Sequence, residues 1–143
     1  MLLKRLLIIV LFLSSFHALA ETNTEKEQRN IRTLMSWGID VWEKGHLELV
    51  PELLAPKYIR HEGKGNRTVT PESYIKEIQA GRAKGWKFDA NAISVDGDLI
   101  WTRWTVHGKN EDGSPATGKG IQIYRLENGK IAETWVLFSP GEW

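Results

Sequence analysis

With 143 residues, 19 basic and 18 acidic side chains, the chain has the length of one domain and no excess charge to draw it onto nucleic acid. It contains no cysteine, which excludes disulfides, a thiol nucleophile and thiolate metal sites. Seven tryptophans leave the burial of large aromatic surfaces as the main source of stability or, equally, the walls of a cavity.

In chain order, the first element is a targeting signal. Lys4 and Arg5 give a positive start, Leu6 to Leu13 is an unbroken apolar run, and Ala18-Leu19-Ala20 offers small residues at the positions a signal peptidase reads. A spanning helix needs about 20 apolar residues, and Ser14, Ser15 and His17 interrupt the run first. The expectation is therefore a cleaved signal over residues 1–20, a mature domain over 21–143, a periplasmic or secreted location, and no membrane partner after cleavage. The mature part carries 17 basic and 18 acidic residues, and its only histidines are His46, His61 and His107.

Glu21 to Glu27 reads as a polar lead-in. Ile31, Leu34, Met35, Gly38, Val41 and Trp42 then recur at helical spacing up to Gly45. A second short helix is predicted over about Leu47 to Leu54, stopped by Pro56. Tyr58 to Glu62 reads as a strand and Gly63 to Arg67 as a loop. Thr70-Pro71 starts a third helix that breaks at Gly85. Phe88 to Val95, Leu99 to His107, Gly120 to Leu126 and Ile131 to Phe138 read as strands. Asp96-Gly97-Asp98 and Asn128-Gly129 are tight turns, and Gly108 to Gly118 is a polar loop. The class is α+β, with three N-terminal helices against an antiparallel sheet.

Tyr58-Ile59-Arg60-His61 resembles the "Y-x-x-H" strand of SnoaL-like proteins, the polyketide cyclase branch of the nuclear-transport-factor-2-like superfamily. The resemblance continues through Gly97-Asp98-Leu99-Ile100-Trp101-Thr102-Arg103-Trp104-Thr105 and Thr117-Gly118-Lys119. It ends with Ile123-Tyr124-Arg125 and Asn128-Gly129-Lys130-Ile131-Ala132-Glu133-Thr134-Trp135. It implies a strongly curved, cone-shaped sheet with a cavity for a small, largely apolar organic molecule, and pairing into homodimers through the outer sheet face. Cyclase-like members carry a carboxylate just after the last-strand tryptophan, where this chain has Val136 and Ser139. A serine hydroxyl does not replace it as a base near neutral pH.

Alternation places Ile131, Glu133, Trp135 and Leu137 on one face of the last strand, and Trp101, Arg103, Thr105 and His107 on one face of the middle strand. The resemblance implies that Glu133 and Trp135 face the cavity. A carboxylate beside an indole there would have a raised pKa and suit a general base. His61 is the alternative base. Arg103 would stabilise an oxyanion or hold a substrate carboxylate, or else pair with Glu133 in a purely structural bridge. Tyr58, Trp101, Tyr124 and Trp135 are the expected substrate-binding residues. Two functions stay open: cofactor-free isomerase- or cyclase-type proton transfer, and a non-catalytic ligand-binding or interaction module. No cofactor is expected, and three scattered histidines without ligand spacing predict no metal.

Overall fold

The computed structural model describes residues 21–143; the segment assigned to the signal peptide lies outside the described residues. Helix α1 spans Asn23–Ser36 and runs on as a π-helical stretch, Trp37–Lys44, that ends at Gly45 with φ +86°. A 3₁₀ turn over Leu47–Leu49 leads into the four-residue α2, Val50–Leu53. Strands β1 (Leu54–Glu62) and β2 (Gly65–Val69) precede α3 (Pro71–Ala83). Strands β3 (Lys87–Asp96), β4 (Leu99–Lys109), β5 (Pro115–Glu127) and β6 (Lys130–Pro140) complete the chain. One six-stranded sheet has the order β2-β1-β6-β5-β4-β3.

The α+β expectation holds in outline, with four corrections. The polar start is helical from Asn23, because Thr22 and Glu25 form a capping box: the Glu25 N–H donates to Thr22 Oγ1 (3.2 Å) and the Thr22 N–H to Glu25 Oε2 (3.0 Å). The second helix is a single turn. The stretch expected as a loop, Gly63 to Arg67, runs into β2, a polar edge strand (GNRTV) that apolar alternation does not reveal. Finally, β1 pairs parallel with β6, so the sheet is mixed rather than antiparallel throughout. Pro56 lies inside β1 at a place without pairing, since the β1–β6 register jumps from Leu54 to Ile59 and β2 joins only at Tyr58.

The core lies between the helices and the inner sheet face. Leu34, Trp37 and Val41 of the first helix pack with Tyr58, Ile78, Ile100, Leu126 and Ile131. Each such side chain contributes roughly 1.5–3 kcal/mol of burial. Helix α1 is also tied to two hairpin turns at one end of the sheet. Asn30 Nδ2 donates to Gly97 O (3.1 Å), the Gly97 N–H donates to Glu27 Oε1 (2.8 Å), and Thr33 Oγ1 donates to Gly129 O (2.7 Å). The second of these turns is Asn128-Gly129, both at positive φ (50° and 76°), as a two-residue hairpin of this kind requires. These bonds close one end of the curved sheet and leave the other open.

One irregularity decides which side chains face which way. Leu126 pairs with Ile131 but Arg125 pairs with Glu133, so Ala132 is an extra residue in β6. Both Ile131 and Ala132 are buried, and the alternation restarts with Glu133 on the outer face.

Candidate functional site

The open end of the sheet forms a cleft of about 1310 Å³ between the inner sheet face and the helices. Trp37 and Trp42 of the π-helical stretch line it together with Phe88, Trp104 and Phe138, and Trp42 meets Phe88 edge-on with centroids 5.0 Å apart. Trp104 lies edge-on to Phe88 (centroids 5.5 Å apart) and stacks near Phe138 (6.1 Å). Its indole also lies against Gly120, where any side chain would collide with it. Lys84, Trp86 and Lys109 stand among the lining residues.

The polar part of the lining centres on Arg60, which sequence reasoning did not single out. Its side chain is 13 % exposed. Nη1 donates to Tyr58 Oη (2.9 Å) and Tyr74 Oη (2.6 Å), and Nε donates to Glu62. Glu62 also receives Arg67 (3.2 Å), which binds Glu77 through both terminal nitrogens (2.6 and 2.8 Å). Burial opposes ionisation of Glu62, but hydrogen bonds from Arg67 and Arg60 outweigh it and hold its carboxyl below the usual value. Glu62 therefore stays an anion engaged by two cations and is unsuited to accept a proton near neutral pH. The signal for Arg60 was present in alternation with Tyr58, because residues two apart on a strand share a face.

Of the expected site residues, Tyr124 lines the cleft. Burial, first, and then the neighbouring Tyr58 raise the pKa of its phenol, so it remains a proton donor. Tyr58 is buried at 1 % exposure; its hydroxyl shares a hydrogen bond with Thr134 Oγ1 (2.8 Å) and it acts as a support for Arg60. Glu133, Trp135, His61, Trp101 and Arg103 are not among the cleft-lining residues. The expectation that Glu133 and Trp135 face the cavity is corrected by the Ala132 bulge. Trp101 and Trp135 sit in one row across the outer face through Ile123, and His61 stands opposite Trp135 on β1.

Glu133 does not pair with Arg103, either. Its partners are Arg125 Nε (2.9 Å) and His61 Nε2 (2.6 Å). The other His61 nitrogen meets Asn66 Oδ1 (2.7 Å), and the ring stacks on Trp135 with centroids 5.0 Å apart. Arg103 instead lies over the Trp143 ring at 5.3 Å. Hydrogen bonds to Glu133 and then Asn66 raise the His61 pKa. The bond from His61, with help from Arg125 and against burial, lowers that of Glu133. The raised pKa expected for a general base is thus reversed. Among the described residues no group of three or more His, Cys, Asp or Glu is placed to hold a metal ion.

The folded His61 pKa lies above its ordinary 6.5, so its contribution to stability is complete below that pH and is lost as pH rises through the folded value. The folded Glu133 pKa lies below 4.5, so its contribution is complete above that pH and is lost as pH falls through the folded value. Titration of the His61 ring by NMR should give a pKa above 6.5 that drops in Glu133→Gln. An unchanged value in that variant would contradict the pairing.

Comparison with known proteins agrees with this fold. The SnoaL-like domain family model matches residues 38–134, while no curated protein matches. Among similar solved structures is a candidate SnoaL-like polyketide cyclase from Jannaschia sp. CCS1 (14 % identity, TM-score 0.70, 83 % of this chain and 91 % of that one). Another is an NTF2-like protein of unknown function from Burkholderia pseudomallei K96243 (19 %, 0.66, 78 % and 91 %). A third is SalBIII, an epoxide hydrolase/cyclase-like enzyme in pyran ring formation in the polyether salinomycin (15 %, 0.70, 82 % and 98 %). At these identities the structures speak for the fold, and the family model covers well over half of the chain. The chain belongs to the SnoaL-like family and has the nuclear-transport-factor-2-like fold.

Proposed function

We propose that this protein is an exported SnoaL-like domain that binds a small, largely apolar organic molecule in the cleft. The observation that carries the reading is the aromatic wall of Trp37, Trp42, Phe88, Trp104 and Phe138 around one open volume. Pockets of this kind take ligands by apolar contact and orient them with a few polar groups. Binding is favoured over catalysis because the two candidate bases, His61 and Glu133, bond to each other on the far side of the sheet. Proton transfer next to a carbonyl is the second reading. Arg60 and the neutral phenols of Tyr74 and Tyr124 are the kind of groups that polarise a carbonyl oxygen, and cyclase-like neighbours share the fold.

Intrinsic tryptophan fluorescence titrated with 2-naphthol and 2-acetonaphthone tests the binding reading. Saturable quenching is expected, retained in Trp101→Ala on the outer face and lost in a folded Val136→Trp variant that fills the cleft. No response to either probe, or quenching that survives Val136→Trp, would overturn it.

The outer face suggests a second copy of the chain as partner. Trp101, Ile123 and Trp135 form one row and Arg103, Ile121 and Leu137 the next, with Trp101 47 % and Leu137 72 % exposed. An apolar patch of this kind on a sheet marks an interaction surface. Native mass spectrometry of the protein expressed from its own Met1 tests both this and the export signal. A dimer of chains beginning at Glu21 is expected. Monomers at micromolar concentration would refute the pairing, and chains that retain Met1 would refute the cleavage.

A further inference from the structure

We infer that the ligand carries a carboxylate, and that it enters carboxylate-first onto Arg60, Tyr74 and Tyr124. The inference rests on the small-molecule reading above and specifies the chemistry of the same cleft.

Arg60 spends Nε on Glu62 and Nη1 on two tyrosine oxygens. Among the described residues its Nη2 has no hydrogen-bond partner, although the side chain lines the cleft. Tyr74 Oη accepts from Arg60, which leaves its own proton to donate, and no acceptor for it stands among the described residues. Tyr124 is 8 % exposed, lines the cleft, and its hydroxyl likewise has no protein partner there. The buried phenols stay protonated well above neutral pH, burial being the main cause. The inner part of the cleft thus presents a guanidinium edge and two hydroxyl protons.

Farther along the same face the pattern repeats in neutral form. Gln122, two residues from Tyr124 on β5 and 7 % exposed, has a side-chain amide with no hydrogen-bond partner among the described residues. Trp104 Nε1 is buried without one. A buried donor left in this state, as at Trp104, is destabilising, and a ligand that supplies an acceptor removes that cost. An indole and a guanidinium only donate, so the complementary molecule is acceptor-rich.

A carboxylate matches the inner group better than a ketone does. It accepts about four hydrogen bonds where a carbonyl accepts two, and its charge meets a permanent cation. Arg60 and Arg67 are matched in charge by Glu62 and Glu77, so the preference for a carboxylate rests on the donors left open at Arg60 Nη2, Tyr74 and Tyr124. The aromatic walls then take the body of the molecule, and Gln122 and Trp104 take an oxygen substituent on it.

Calorimetric titration of the purified protein with 2-naphthoate and its neutral methyl ester tests the inference. Charge-assisted hydrogen bonds of about 1.5–3 kcal/mol correspond to roughly 10- to 150-fold in affinity, so 2-naphthoate should bind at least about tenfold more tightly than the ester. Arg60→Met should erase that preference while the ester still binds. Should Arg60→Met fail to fold, Tyr124→Phe removes one hydroxyl only and should weaken 2-naphthoate several-fold without affecting the ester. Equal binding of acid and ester, or a preference insensitive to Tyr124→Phe, would overturn the carboxylate and leave the cleft reading standing. Absence of binding by both would overturn the two together.

Discussion

Which face of the sheet Glu133 and Trp135 occupy is settled by one extra residue. At Ala132 two residues of β6 stand against one step of β5. Ile131 and Ala132 both turn into the core, and Glu133 and Trp135 emerge on the outside. Had the alternation run unbroken from the buried Ile131, the acid and the indole would have stood inside the cone. The bulge therefore separates two polar systems with the sheet between them. One is the Arg125–Glu133–His61–Asn66 chain outside; the other is the Arg60–Tyr58–Tyr74 group inside.

These systems do different physical work. The outer chain places Glu133 between Arg125 and His61 and stacks the imidazole on Trp135, which fixes β1 against β6 where parallel pairing begins anew after the irregular stretch. The inner group holds a guanidinium within an aromatic shell, supported by Tyr58 from the core and Tyr74 from α3, with Trp37 stacked on Tyr74 at 5.8 Å. Positioning by rigid, buried side chains preorganises the inner donors. A ligand that meets them loses less to reorganisation of the protein.

Much of the fold was legible because its signals are local. The Asn128-Gly129 hairpin, the Thr70-Pro71 helix start and the strands from Phe88 onward stand where turn chemistry, capping and alternation put them. The capping box at Thr22 and Glu25 is equally local, a Thr followed three residues later by a Glu. What was not legible depended on long-range pairing. The polar edge strand β2 exists because β1 offers it a partner, and the parallel β1–β6 contact joins segments some 70 residues apart. A bulge leaves no mark in a run such as Lys130-Ile131-Ala132-Glu133, so alternation groups Glu133 and Trp135 with the buried Ile131, and the cavity-facing placement implied by the resemblance does not hold for them. Arg60 was not legible for a simpler reason: a lone arginine on a short strand has no sequence mark that separates a buried, cleft-lining guanidinium from an exposed one.

The claim on which this account turns is that ligands enter the concave side and not the outer face. Seven tryptophans make this directly observable through their indole N–H resonances in a ¹⁵N-labelled sample titrated with 2-naphthoate. The account predicts that the Trp104 signal, whose Nε1 has no protein partner among the described residues, shifts with saturation while those of Trp101 and Trp135 stay in place. Saturable shifts at Trp101 or Trp135 with Trp104 unmoved would contradict it.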